Sequence, residues 1–286
     1  MPGTLYMVAT PIGNLEDLTF RARRILSEVD LIAAEDTRRT SHLLSHYQIK
    51  KPMVSLREHN EAREAARLVE KMLAGQSVAV VTDAGTPGIA DPGARMVNAA
   101  RAAGIQVVPI PGASAVTAAM SVSGSTVPEF TFLGFPPAKG EDRNRWFERL
   151  AGLTHPAVFF EAPHRIERTV AEVEGMLVKK HILVLRELTK LNETVVERPN
   201  NVSTEQIKPI GEFCVVVIPE IDSNEISTNS TAFQREALNL FTQLTAGGQV
   251  SEEFAIELIA LKLAVTEAAA RKAVKKAKIS VKQQNQ

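Results

Sequence analysis

Short aliphatic runs without polar alternation recur through the first 220 residues, and they restrict the chain to folds whose strands are covered on both faces. Leu31-Ile32-Ala33-Ala34 and Val78-Ala79-Val80-Val81 are the clearest examples. A half-exposed strand would alternate apolar and polar residues; these do not. Strands are expected at residues 4–9, 31–34, 77–82 and 105–110, with helical patterns at 18–29, 61–73, 92–103 and 113–122 between or after them. Pro92 suits a first-turn position of its helix. The order predicts an α/β fold with a mostly parallel sheet in a lobe spanning residues 1–123.

A segment rich in Pro, Gly and Phe, residues 126–140, separates this lobe from a second β/α series. Strands are expected there at 157–160, 182–185, 194–197 and 213–218, with a helix at 165–177. The second α/β lobe is therefore placed at 124–220, a polar linker at 221–231, and a small helical, basic appendage at 232–286. A length of 286 residues fits two or three domains. Aromatics are only 5% of the chain against 44% hydrophobic residues, so the core must be aliphatic.

Cys214 is the one cysteine, so no intrachain disulfide can form and a reducing, cytoplasmic setting is expected. It lies in an apolar run and reads as a small core residue. No signal peptide is expected at the start, and no stretch reaches the ~20 apolar residues of a membrane span. Lysine plus arginine equals aspartate plus glutamate at 33 each, so any nucleic-acid contact must come from local basic patches.

Three loops follow strands of the first lobe: Thr10-Pro11-Ile12-Gly13-Asn14, the stretch from Asp83 to Gly93, and Pro109-Ile110-Pro111-Gly112-Ala113-Ser114-Ala115. Ligands of open parallel sheets bind at the carboxyl ends of strands, where all three loops sit. Glycine there admits close backbone approach, and proline fixes loop shape. Each loop alone could be an ordinary turn; three on one edge point to a binding cleft. The phosphate loop ending in Lys-Ser/Thr is absent, and so is the Gly-x-Gly-x-x-Gly fingerprint. No Cys/His spacing suggests zinc, and His42 and His46, four apart on a helix, read as exposed residues.

Five motifs stand in order: Val8-Ala9-Thr10-Pro11-Ile12-Gly13-Asn14-Leu15, Glu35-Asp36-Thr37-Arg38, Asp83-Ala84-Gly85-Thr86-Pro87-Gly88, Pro111-Gly112-Ala113-Ser114-Ala115 and Glu161-Ala162-Pro163-His164-Arg165. Together they resemble the ribosomal RNA small-subunit methyltransferase I group of the tetrapyrrole-methylase-like superfamily, over residues 4–219. The resemblance implies two α/β lobes with S-adenosylmethionine in the cleft between them, commonly a homodimer. It implies 2′-O-methylation of a cytidine in the decoding centre of 16S rRNA within the small ribosomal subunit. Carried over, Pro11 and Gly13 would line the cleft. Asp83, Gly85 and Thr86 would contact the cofactor's methionine or ribose part, as would Ser114 and Ala115. Phe160 and the turn at 211–213 would approach the adenine. Superfamily members with porphyrin-like substrates often carry Gly-Asp-Pro at the second loop. Thr82-Asp83-Ala84-Gly85 stands here instead, which fits a different substrate.

A sulfonium is already a good leaving group, so no metal is expected and positioning is the main task. A ribose hydroxyl is a poor nucleophile and calls for a base or a cationic neighbour. Glu187 or Glu161 is expected as proton acceptor, with Lys190 beside it, and Arg38, Arg165, Arg186 and Lys190 as phosphate holders. Arg143 and Arg145, with Trp146 and Phe147 among them, suit RNA backbone contact plus stacking, or else a charged amphipathic helix. From Arg271 onward six basic residues, including Lys272, Lys275 and Lys276, occur with no acid, which suits phosphate contact or a solubilising tail. Rival readings are a methyltransferase of the same superfamily acting on a tetrapyrrole or other small molecule, and a non-catalytic rRNA-binding assembly factor.

Overall fold

In the computed structural model, the described residues are 1–176, 180–199, 207–219, 231–245, 250–262 and 267–284. The chain divides into two compact units, Met1–Pro219 and Glu220–Gln286.

The first unit holds two sheets. One contains β1 (Thr4–Val8), β2 (Leu31–Ala34), β3 (Met53–Ser55), β4 (Val78–Val81) and β5 (Gln106–Ile110), in the order β3-β2-β4-β1-β5 with every pair parallel. The central strands β2 and β4 are buried at all four positions, as their unbroken apolar runs require. Helices cover both faces. α1 (Phe20–Glu28) and α2 (Thr37–His46) pack Ala22, Ile25, Leu26 and Leu44 on one side. α3 (Glu61–Leu73) and α4 (Ala94–Ala102) pack Ala65, Leu68, Met72, Met96 and Ala100 on the other. α5 (Ala115–Ser121) leads toward the second sheet and packs Val116 and Ala119 against it.

Side-chain caps set two of these starts: the Thr19 hydroxyl accepts from the Ala22 amide, and the Asp36 carboxylate from the Arg38 amide. α4 is capped from a distance. The buried Glu61 carboxylate accepts from the amides of Gly93, Arg95 and Met96 at 2.9–3.1 Å. The helix expected from residue 92 starts at Ala94, because Gly93 turns the chain at φ 136° and leaves Pro92 outside.

The second sheet contains β6 (Thr131–Phe132), β7 (Ala157–Glu161), β8 (Lys180–Arg186), β9 (Thr194–Pro199) and β10 (Phe213–Pro219), ordered β6-β7-β10-β8-β9. Only β6 and β7 pair in parallel; β10 runs antiparallel to both neighbours and β9 antiparallel to β8. β3 and β6 were not foreseen, being three and two residues long.

α6 (Glu141–Ala151) and α7 (Ile166–Met176) lie against this sheet through Trp146, Phe147, Leu150, Ile166, Val170 and Val173. A buried polar network ties them to β7. Arg143 donates to the Glu172 carboxylate at 2.6 and 2.9 Å, to the Pro137 carbonyl at 2.8 Å and to the Thr169 hydroxyl at 2.9 Å. Thr169 donates in turn to Glu161 at 2.6 Å, and Arg165 pairs with Glu161 at 2.6 Å. This corrects the expectation of an RNA-facing Arg143 flanked by stacking aromatics. Arg143, Trp146 and Phe147 are all buried, because the apolar residues of α6 need the sheet more than solvent.

The second unit comprises α8 (Thr231–Thr245), α9 (Glu252–Lys262) and α10 (Glu267–Gln284), joined in a small core of Ala237, Phe241, Ile256, Ile259 and Val274. The basic end of the chain is thus helical over the described residues, with Lys272, Lys275 and Lys276 on its exposed side. The linker expected at 221–231 lies, apart from residue 231, outside the described residues. Among the described residues no helix is long and apolar enough to cross a membrane.

Replacing Arg143 with Ala takes its donor from Thr169 and from one Glu172 oxygen, the other staying with Arg168 at 2.7 Å. It is expected to lower the unfolding free energy by about 3 kcal/mol, seen as a reduced urea midpoint at unchanged slope.

Candidate active site

The carboxyl ends of β1 and β4 meet first. The Thr10 amide donates to the Gly85 carbonyl at 2.9 Å and the Gly85 amide to the Thr10 carbonyl at 3.0 Å, which joins the two loops. Gly85 takes φ 79°, and a Cβ there would sit 3.3 Å from Ile12. β4 lies between β2 and β1, so the connection reverses direction at this edge, where α/β sheets bind ligands.

Across from these loops stands the turn that follows β8. Glu187 (φ 54°) and Thr189 (φ 66°) hold left-handed backbone that residues with side chains seldom adopt. The Thr189 hydroxyl accepts from the Asn14 amide at 3.0 Å. Gly13 packs directly on the turn: a Cβ there would lie 2.5 Å from Lys190 Cγ and 2.9 Å from the Leu188 carbonyl. This loop-to-turn contact joins the two lobes at one point and the packing of α5 on the second sheet joins them at another, and a cleft remains beside them.

The cleft has two adjoining chambers. The deeper, of about 350 Å³, is lined from the first lobe by Ile12, Glu35, Asp83, Gly85, Thr86, Asp91, Ser114 and Ala115, and from the second by Phe160, Leu185, Leu188 and Phe213. The shallower, of about 280 Å³, is lined by Pro11, Gly13, Leu15, Thr40, His42 and Lys190. Ile12, Arg39, Asp83, Ala84 and Glu212 border both.

One end of the deep chamber is acidic. Glu35 accepts from the Thr82 hydroxyl at 2.7 Å and Asp83 from the Asp36 amide at 3.0 Å. Burial, then the nearby Glu35, raises Asp83 above the ordinary carboxylate value, while Arg39 at 3.5 Å pulls the other way. Burial, Glu35 and Asp83 push Asp91 up to about 6, against a hydrogen bond from Thr82. Three crowded carboxyls in a half-buried recess favour a cationic ligand. Opposite them, burial pushes the Cys214 thiol up to about 12, so it serves as an apolar wall residue.

At the mouth, Lys190 Nζ lies 2.8 Å from Glu187 and 3.0 Å from Glu212. Burial works against its charge, but the two carboxylates outweigh that and hold it above its ordinary value. Lys190 first, then the Glu212 amide, hold Glu187 below the usual range.

The structure thus gathers Asp83, Gly85, Thr86, Ser114, Ala115 and Phe160 at the deep chamber, and Pro11, Gly13 and Lys190 at the shallow one. Glu161 reaches the deep chamber's wall, but its carboxylate is taken up by Arg165, Thr169 and the Ala162 amide. Arg186 fastens the carbonyls of Ile210 and Asn192 beneath the turn. Arg38 is exposed on α2, and Arg145 is exposed beside Asp142. Arg39, Asp91 and Glu212 were not singled out from the sequence. Asp91 stood inside a quoted loop and Glu212 inside a quoted turn, so proximity to those loops was the available signal. Among the described residues no metal-binding group of His, Cys, Asp and Glu occurs.

A fold of two α/β lobes with a glycine-lined cleft defines a class, and the family model described as Tetrapyrrole (Corrin/Porphyrin) Methylases matches residues 4–200. The chain belongs to that family. Within it the chain belongs with the proteins named ribosomal RNA small subunit methyltransferase I, and is a methyltransferase. The protein of that name from Pasteurella multocida is 50% identical over 197 residues, 68% of this chain and 70% of the relative. That from Synechocystis is 41% identical over 260 residues, 89% of this chain and 93% of the relative. The solved uroporphyrin-III-C-methyltransferase of Thermus thermophilus matches with a TM-score of 0.50 at 19% identity, over 76% of this chain and 94% of its own, a likeness of fold.

The folded-state value of Asp91 exceeds its ordinary 3.8, so its charge opposes folding above about pH 6, and the effect is absent below the ordinary value. Asp91→Asn is therefore expected to raise Tm at pH 8, with the gain shrinking as pH falls through 6 toward 4. Calorimetry across that range checks the sign. The same substitution should weaken binding of a cationic ligand in the deep chamber.

Proposed function

We propose that this chain is an S-adenosylmethionine-dependent 2′-O-methyltransferase that modifies a cytidine ribose in the decoding centre of 16S ribosomal RNA, acting on the small ribosomal subunit. The observation that carries the reading is the pair of adjoining chambers, one largely apolar with an acidic end, the other of mixed lining with a charged lysine in its wall. The relatives' names give small-subunit ribosomal RNA as what those proteins methylate, which supports the choice of substrate.

The residues present fit the donor. A volume of about 350 Å³ falls in the range of small-molecule sites. Glu35, Asp83 and Asp91 suit a positively charged sulfur and ammonium, and Val116, Leu185 and Phe213 suit an adenine. When bound, S-adenosylmethionine supplies a methyl group already activated by its sulfonium.

What remains is the work of this chain's own groups. Ile12, Asp83 and Ala84 border both chambers and so set where a hydroxyl oxygen meets the donor's reactive end. Lys190 offers a fixed positive charge to the acceptor's oxygens. Glu187 is too acidic to ionise an alcohol in advance. The carboxylates flanking Lys190 instead take the proton as the new C–O bond forms and the oxygen becomes acidic. Exposed Arg38, Arg145, Lys272, Lys275 and Lys276 supply phosphate contacts.

The decisive measurement is methyl transfer from labelled donor to small subunits of cells lacking the gene, with mass mapping of the product. One cytidine gaining a 2′-O-methyl group is expected. Label entering a porphyrinogen but no RNA would sink the reading. Lys190→Met should lower single-turnover methyl transfer by about 100-fold while donor affinity stays within a few-fold.

A further inference from the structure

α2 contains no acidic residue. Arg38, His42 and His46 follow one another at helical spacing along its exposed side. At its first turns Arg39, His42 and Leu43 line the shallow chamber. At its far end the rings of His46 and Tyr47 meet edge to face at 4.9 Å. The Tyr47 hydroxyl donates to the carbonyl of Leu15, another residue of the same chamber. Tyr47 also carries the Arg23 guanidinium of α1, 5.6 Å from its ring centroid. One turn before Arg23, Phe20 opens α1 with 92% of its surface exposed. Among the described residues no ion pair engages Arg23, Arg38, His42 or His46, whereas the neighbouring Arg24 is paired with Glu28 at 2.7 Å.

We propose that this surface, from Arg38 past Tyr47 to Phe20, is a track for single-stranded RNA that leads into the shallow chamber. It rests on the reading that the chain methylates RNA, and adds where the strand beside the target nucleotide runs. Three features select this occupant. Cations interleaved with aromatic rings match a polymer that offers phosphates and unstacked bases in turn. A fully exposed Phe beside a ring-stacked arginine offers a base an aromatic face and a planar cation. The track is continuous with the chamber through Arg39, His42 and Leu15, so a nucleotide seated there stays joined to its neighbours on the track.

The test uses the full chain and a fluorescein-labelled oligocytidine, titrated at several salt concentrations. Phe20→Ala should weaken binding about tenfold, as loss of one stacked base does, with Tm unchanged because the side chain is exposed. The pair Arg23→Gln/Arg38→Gln should lower the slope of log affinity against log salt by about 1.4. The charge-matched pair Lys71→Gln/Arg101→Gln, on the helices of the sheet's other face, should leave oligomer affinity within twofold of wild type. Donor binding by calorimetry should be the same in all variants. Wild-type methyl transfer to small subunits with unchanged oligomer affinity in the track variants would overturn the track alone. A wild type that neither methylates nor binds RNA would overturn the RNA reading and the track with it. Track variants that bind the oligomer normally but lose affinity for intact subunits, or change oligomeric state, would assign the surface to a protein partner and overturn the proposal.

Discussion

The cleft depends on residue 13 having no side chain. Gly13 seats the loop after β1 directly on the turn at 187–190, where even a methyl group would collide with Lys190, Thr189 and the Leu188 carbonyl. The turn has itself been forced into shape. Glu187 and Thr189 hold left-handed backbone, and Gly211 must also lack a Cβ, since one would lie 2.6 Å from the Glu187 carboxyl. Non-glycine residues in that region cost of order 1–3 kcal/mol each and persist only where their surroundings fix them. Here the Glu212 carbonyl accepts from the Glu187 amide and the Glu212 amide donates to the Glu187 side chain. The strained turn delivers Lys190 to the mouth of the cleft. Without the close approach at Gly13, the two sheets would be spaced by a side chain and the chambers would not adjoin.

Electrostatics divide the same region. The chain balances its charges overall, yet Glu35, Asp83 and Asp91 converge at the deep chamber, Lys190 stands at the shallow one, and Arg39 borders both. Burial and then Glu35 raise the affinity of Asp83 for protons, burial and then Glu35 and Asp83 raise that of Asp91, and a cation in their midst relieves the repulsion. Arg39 bridges the zones by pairing with Asp83 across their border. A donor that enters positive and leaves neutral would be held best before its methyl is gone, which favours turnover over product retention.

The central strands of the first sheet, β2 and β4, were legible because burial on both faces writes itself as unbroken aliphatic runs, and residues 31–34 were read to the residue, whereas the three-residue β3 was not foreseen. The Gly/Pro loops were legible because close backbone approach needs those residues. The rest was hidden by distance along the chain. Arg143, Glu161 and Arg165 look like surface charges one at a time. Only their convergence with Thr169 and Glu172, from three different elements, makes them a buried network. For Trp146 and Phe147 two readings were open, RNA stacking or a charged amphipathic helix, and the helix is what forms, with both rings on its buried face. β10 inserts antiparallel between β7 and β8, a pairing no local pattern announces. Arg39, Asp91 and Glu212 escaped notice because each borders the cleft only through tertiary placement.

The two chambers also differ in what holds their residues in place. The deep chamber is built from strand ends, glycine turns and core side chains such as Phe213 and Leu185, so changing its lining disturbs packing. The shallow chamber borrows one wall from α2, and α2 buries only Thr40 and Leu44. Packing therefore leaves the remaining positions of that helix open. Of the charged positions on that helix, Arg39 is engaged by Asp83, while Arg38, His42 and His46 are exposed with no acid on the helix beside them. A family can keep one donor site and admit different acceptors by rewriting this wall alone.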